Sequence, residues 1–183
     1  MDTPTTTHIP DRSSPGSTRT ARSAFHQDRR EKCDTGANLQ KIRGRDLISL
    51  ATWNVRTLAQ TGKLHELTHE LKIYTWHIVG LCEMRWKNFG EHQTEEGHVL
   101  YYSGELDTHA NGVGFLVNKS IKNAVLGCCP VSSRIITIKL QAAPFNITII
   151  QVYVPTSEYD DEHVETFYTQ LQEVIDKVKR RTS

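Results

Sequence analysis

The chain has 183 residues, enough for one domain with a substantial core, and its formal net charge of +1 singles out no charged partner. Its four cysteines, Cys33, Cys82, Cys128 and Cys129, form no C-x-x-C pair, and adjacent cysteines seldom bridge each other, so a reducing compartment without a disulfide framework is expected. The first thirty residues hold no apolar signal region and no run is long enough to cross a bilayer. These features exclude secreted and membrane-embedded classes and predict an intracellular protein, nuclear or cytoplasmic, with no membrane partner.

Residues 1–45 read as a disordered basic leader. They carry nine Lys/Arg against five Asp/Glu, a net of +4, and their large apolar residues are Met1, Ile9, Phe25, Leu39 and Ile42. Such a segment buries too little surface to offset its ordering entropy. It is either a solvated tail or an arm that touches phosphates. Residues 46–183 carry thirteen Lys/Arg against sixteen Asp/Glu, a net of −3, and form the predicted domain.

Short β-rich runs between turn signals predict strands over 47–53, 77–81, 98–102, 112–117, 123–128, 134–140 and 146–153. The strand 146–153 is apolar on both parities (Ile147, Ile149; Ile150, Val152), which predicts a central strand covered on both faces. Helices are predicted over 60–72, with Leu64, Leu67 and Leu71 as its stripe, and over 160–179. In the second, Val164, Phe167, Tyr168, Leu171, Val174, Ile175 and Val178 follow helical spacing and would dock on a sheet. Strand, helix, a run of strands and a final helix give an α/β layered fold with a mixed sheet. The chain then reaches a basic stretch, Lys177 to Arg181.

Three of the apolar runs end in an out-of-character polar group. Leu47–Trp53 stops at Asn54, His77–Cys82 at Glu83, and Ile147–Val152 at Tyr153. Individually these are a turn former, a strand-end charge and a β-favoured aromatic. Together they suggest a site where a sheet ends, the place α/β folds put ligands. Carboxylate and amide oxygens suit Mg²⁺, which takes few protein ligands and leaves room for phosphate. A phenol can donate to a phosphoryl oxygen.

A competing motif lies in the first helix. His65-Glu66-Leu67-Thr68-His69 is a literal H-E-x-x-H, the spacing that sets two imidazoles on one helical face for zinc in a peptidase. Both histidines fall away from the Leu stripe, and no second helix follows to present a third ligand. A solvated helix face is the simpler reading.

The strings TWNVRTL (52–58), GLCEMRW (80–86), NGVGFLVNKS (111–120), NAVLGC (123–128), PFNIT (144–148) and QVYVPTS (151–157), then the helix VETFYTQLQEVIDK (164–177), resemble the endonuclease/exonuclease/phosphatase superfamily. Within it they resemble RTE-type nucleases of non-LTR retrotransposons and the host proteins called craniofacial development protein 2-like. The resemblance covers about residues 46–183. It implies a four-layer α/β/β/α sandwich and Mg²⁺-dependent hydrolysis of phosphodiesters in DNA, with Mn²⁺ as a substitute. It implies that Glu83 binds metal, that Asn54 supports the metal or the scissile phosphate, and that Tyr153 contacts that phosphate. The three would form the catalytic set, with Glu83 and Asn54 as metal residues. Arg56 stands where many abasic-site enzymes carry an acid and would contact phosphate or serve structure. Asn111, with Gly112 and Gly114, would form a tight approach to a core strand near the cleft.

The family continues into a Gly-Asp-x-Asn motif and later a Ser-Asp-His motif, which supply the water-orienting Asp and the phosphate-contacting His. Neither is in this sequence, and none of its nine histidines has a Ser-Asp-His context. The expected fold is therefore the N-terminal portion of the sandwich: one mixed sheet with helices on its outer face, its inner face apolar and open. General acid–base help is worth about 10²–10⁴ in rate, so turnover by this chain is expected at or near background. A reverse-transcriptase module or the missing C-terminal half would be the partner in a full-length relative. From a different class, a non-catalytic remnant would bind nucleic acid or protein through the open sheet, aided by its basic ends.

Overall fold

Alternate residues of the strands go to two different cores, and this division sets the layers. The computed structural model describes residues 40–157 and 159–180. In chain order the elements are β1 (Ile42–Arg43), β2 (Leu50–Asn54), α1 (Lys63–Glu70), β3 (Ile78–Cys82), β4 (Phe89–Gln93), β5 (Val99–Ser103), β6 (Val113–Val117), β7 (Val125–Ser132), β8 (Ile135–Leu140), β9 (Ala142–Ala143), β10 (Ile147–Val152) and α2 (Asp161–Arg180). A five-stranded sheet runs in the order β2-β3-β6-β5-β4, a three-stranded sheet in the order β10-β8-β7, and β1 pairs with β9. The larger sheet is mixed: β2 lies parallel to β3, and its other neighbours are antiparallel.

Ile78, Val113, Phe115 and Val117 on one face of the larger sheet share a core with Ile136, Ile138 and Leu140 of β8, and Ile149 of β10 packs against it. The opposite parity, Val79, Leu81, Leu100 and Leu116, packs with Leu67 of α1 and with Leu71 just beyond it. On the outer side of the smaller sheet, Ile135 packs with Phe167 and Val174 of α2, with Ile150 and Val152 beside them. The layers are thus helix, sheet, sheet and helix, as expected for an α/β sandwich.

One expectation changes. The chain holds both faces of the sandwich interface rather than one mixed sheet, so the inner face of the larger sheet is covered and not open. Strand patterns do not say which sheet a strand joins. Here the turn at Lys122–Ala124 sends β7 to the second layer. For the same reason β10 is not central: among the described residues it is the edge of the smaller sheet, with its two faces covered by the other sheet and by α2. Among the described residues, β2 is an edge strand whose residues are all exposed.

Other differences are local. α1 spans Lys63–Glu70 and gives way to a 3₁₀ turn at Leu71–Ile73. β4 was not expected because FGEHQ is polar and carries no apolar alternation, yet it pairs along Tyr101 and Tyr102 of β5. Ile42, within the segment read as leader, is buried and pairs with Ala142. The remainder of that reading, residues 1–39, lies outside the described residues, as do residues 181–183 of the basic tail. In α2 the stripe holds except at Tyr168, which is exposed while Phe167 takes the buried position. Asp160 caps this helix: its Oδ1 accepts the His163 N–H at 2.9 Å. Bonds from the His163 backbone and ring hold the Asp160 carboxyl below its usual range. Among the described residues no helix is long and apolar enough to cross a membrane.

The inter-sheet core makes a direct demand on stability. Ile138 is fully buried, and its replacement by Ala should cost about 2–5 kcal/mol in denaturant unfolding. His65→Ala, on the exposed face of α1, should stay within about 0.5 kcal/mol. Similar costs for the two would contradict the layer assignment.

Candidate active site

The three polar strand ends converge because the strands that carry them finish together. β2 and β3 are parallel, and Asn54, the last residue of β2, is in register with Cys82, the last of β3. Glu83 follows directly. From the other sheet, the carbonyl of Val152, the last residue of β10, accepts a bond from Cys82 Sγ at 3.5 Å. Tyr153 follows that residue. Three carboxyl-terminal strand ends from two sheets thus meet at one rim.

At that rim Glu83 Oε1 accepts two hydrogen bonds. Asn54 Nδ2 donates at 2.5 Å and the Tyr153 hydroxyl at 3.1 Å. Asn54 Oδ1 is engaged by the Arg56 backbone N–H at 3.0 Å. Glu83 Oε2 faces the Arg85 guanidinium at 3.9 Å, a loose and half-exposed pair of the kind that contributes little stability. The carboxylate therefore has one oxygen fixed by donors and one available. Burial and the bond to Glu83 push the Tyr153 phenol above its ordinary value, and the Arg134 charge opposes that rise.

The loops behind these side chains are held in uncommon backbone conformations. Arg56, Glu83, Arg85 and Asn111 all have positive φ, between 53° and 57°. Each such residue costs on the order of 1–3 kcal/mol and persists only when its surroundings enforce it. Here backbone bonds do so: Val55 N to Cys82 O at 3.1 Å, Leu58 N to Met84 O at 2.9 Å, Met84 N to Gly112 O at 3.1 Å and Arg85 N to Asn111 O at 2.8 Å. Trp86 adds a bond from its indole N–H to Leu58 O at 2.7 Å. At Gly112 φ is +96°, and a Cβ would lie 3.0 Å from Arg85 N.

The sequence-derived residues therefore divide. Asn54, Glu83 and Tyr153 meet side chain to side chain. Arg56 joins them through its backbone, with an exposed side chain. Asn111 supports the adjoining loop, but its side chain donates to Glu105 at 3.0 Å, and Ser133 Oγ donates to the same carboxylate oxygen at 2.5 Å. His65 and His69 are exposed, Glu66 is paired with Lys63 at 2.6 Å, and no group of three or more His, Cys, Asp or Glu gathers among the described residues. Of the H-E-x-x-H string, His65, Glu66 and His69 lie on a solvated helix face, and Leu67 and Thr68 are buried.

Three participants went unnoticed in the sequence. Gln151 points across the sheet interface, where its Nε2 donates to Cys82 Sγ at 3.0 Å and its amide fills the space left by Gly80. Cys82 lies just beneath Glu83, and burial pushes its thiol up despite the Gln151 bond. Arg134 lies behind Tyr153. An alternation of side chains along β10 was the one available signal for Gln151, a polar residue among apolar neighbours.

No protein-family model matches the chain. Over 127 residues it is 37% identical to craniofacial development protein 2 of Bos taurus, a match covering 69% of this chain and 21% of that protein. Over 144 residues it is 34% identical to craniofacial development protein 2 of Tragulus javanicus, covering 78% of this chain and 25% of that protein. The homology is to craniofacial development protein 2. Of the groups that the sequence strings resemble, craniofacial development protein 2-like is the one these relatives carry in their names. The chain spans a quarter or less of their length.

The raised Tyr153 value has a definite sign. A phenol whose folded value exceeds its unfolded value stabilises the fold below the unfolded value, about pH 10, and that contribution is lost as pH rises through the folded value. Denaturant midpoints should fall above pH 10, and Tyr153→Phe should flatten part of that fall. An unchanged pH profile in Tyr153→Phe would argue against a phenol raised by burial and by Glu83.

Proposed function

We propose that residues 46–183 form the metal- and phosphate-binding part of a Mg²⁺-dependent DNA phosphodiesterase cleft of the endonuclease/exonuclease/phosphatase type, retrotransposon-derived. The observation that carries this reading is the bonding of Asn54 and Tyr153 to a single carboxylate oxygen of Glu83, from strand ends of two sheets. A carboxylate with one fixed and one available oxygen fits Mg²⁺ or Mn²⁺, hard cations that keep several waters and few protein ligands. Glu83 Oε2 would hold the ion. Asn54, whose two amide atoms are both engaged here, would orient the carboxylate and support the phosphate. When bound, the ion supplies Lewis-acid stabilisation of the phosphoryl oxygen and the leaving alkoxide.

The remaining groups suit an anionic diester. The Tyr153 phenol, kept neutral, would turn its single O–H from Glu83 Oε1 to a phosphoryl oxygen when a diester binds. Arg85, exposed and on a loop fixed at positive φ, borders the carboxylate with positive charge at 3.9 Å, and Arg56, also exposed, follows Asn54 by two positions. A water-activating base is not among these residues, so turnover by the chain alone stays near background. DNA is the proposed substrate.

Glu83→Gln should abolish Mn²⁺ binding measured by water-proton relaxation, and Asn54→Ala should weaken it about tenfold, the usual cost of losing a ligand's supporting partner. Mn²⁺ binding untouched by Glu83→Gln would sink the proposal. In a supercoiled-plasmid assay with Mg²⁺, nicking should remain near background; nicking lost in Glu83→Ala would show that the chain turns over unaided.

The exposed β2 edge, with Leu50 56% and Trp53 36% accessible, favours a second reading in which the domain binds without chemistry. An open strand edge is a template for pairing with another chain. DNA affinity that falls steeply with salt and ignores Mg²⁺ would favour binding of nucleic acid alone.

A further inference from the structure

We propose that Arg134 is a positioning residue of the candidate site, holding the Tyr153 phenol against Glu83. Arg134 holds Tyr153 in three ways. Its backbone carbonyl accepts the Tyr153 N–H at 2.9 Å. Its Nη1 donates to the Tyr153 carbonyl at 3.2 Å. Its guanidinium carbon lies over the Tyr153 ring, 5.0 Å from the centroid, and also over the Tyr159 ring at 4.5 Å. The ring is thus fixed at its backbone and over its face, while its hydroxyl is fixed on Glu83 Oε1 at 3.1 Å.

The arrangement is costly for a purely structural arginine. Arg134 Nη2 is buried and makes no hydrogen bond, and an unmet buried donor costs about 1–3 kcal/mol or more when charged. A planar guanidinium tolerates this because its faces stack on aromatic rings. A lysine ammonium at the same place would be a point charge without that plane. Held in this way, Tyr153 links an anion at its hydroxyl to a cation at its face, and Arg134 acts on the site only through that ring. The geometry stands without any metal or DNA; the catalytic meaning of Tyr153 rests on the proposed nuclease reading.

The test reads Tyr153 directly. With ring-¹³C-labelled tyrosine, the signal absent from Tyr153→Phe identifies this residue, and its titration is followed in wild type and in Arg134→Met. Loss of the cation should shift the Tyr153 signal and move its titration midpoint upward. Arg134→Lys keeps the charge but not the plane; it should shift the ring signal and leave the midpoint near wild type, and it carries the test if Arg134→Met does not fold. A Tyr153 signal and midpoint unmoved in a folded variant overturn the proposal. That result leaves Mn²⁺ binding at Glu83 intact, whereas loss of the nuclease reading would leave the Tyr153 shift intact.

Discussion

Everything at the candidate site depends on two sheets packing face to face. Glu83 and Tyr153 are 70 residues apart and stand on different sheets, and neither sheet alone brings them within reach. Their meeting follows from the core in which Phe115, Ile136, Ile138 and Leu140 fill the space between the layers. Close-packed interiors have few continuous adjustments available, so the separation of β3 and β10 is fixed by the side chains between them. Gly80 is part of this fit: it leaves the volume that the Gln151 amide takes directly under the rim. The single sulfur of Cys82 then joins both sheets, accepting from Gln151 and donating to Val152 O.

The rim itself is held by a different balance. Arg56, Glu83 and Arg85 each adopt a backbone conformation that L-residues avoid, and the cost is met by bonds among the loops that bear them. The strands end before the rim, so these bonds do not belong to the sheet ladders. They are a separate, local cross-linking of the loops after β2, β3 and the turn before β6. The consequence is preorganisation: Glu83 is aimed outward from a strand end by a fixed backbone, not by a flexible loop that must order when a ligand arrives.

Much of this was readable from residue order. The β-rich runs and the apolar stripe of α2 located most elements, because period-2 and period-3.6 patterns follow directly from which faces are buried. Asn54, Glu83 and Tyr153 stood out because each breaks an apolar run at its end. The unreadable part was long-range. A strand apolar on both parities, such as β10, is equally consistent with a central strand and with an edge strand lying between a second sheet and a helix. Strand β4 escaped because its sequence is polar and its place is set by pairing with β5. Arg134 escaped for a related reason: Tyr153 and Tyr159 lie 19 and 25 positions further on, and only the antiparallel return of β10 along β8 brings Tyr153 back to it.

The charge arrangement narrows what Glu83 can do. Its Oε1 already accepts from an amide and a phenol, so the lone pairs that remain for a new partner are chiefly those of Oε2. The nearby guanidinium of Arg85, at 3.9 Å and half exposed, is too loosely held to fix the second oxygen. One oxygen of this carboxylate is tied down by two donors and the other faces only a loosely placed guanidinium. The tyrosine beside it is the reverse case: kept neutral, with an anion at its hydroxyl and a cation at its ring face. The two side chains thus share one hydrogen bond from opposite surroundings: Glu83 holds two donors on a single oxygen, and Tyr153 is held between that oxygen at its hydroxyl and the Arg134 guanidinium at its ring face.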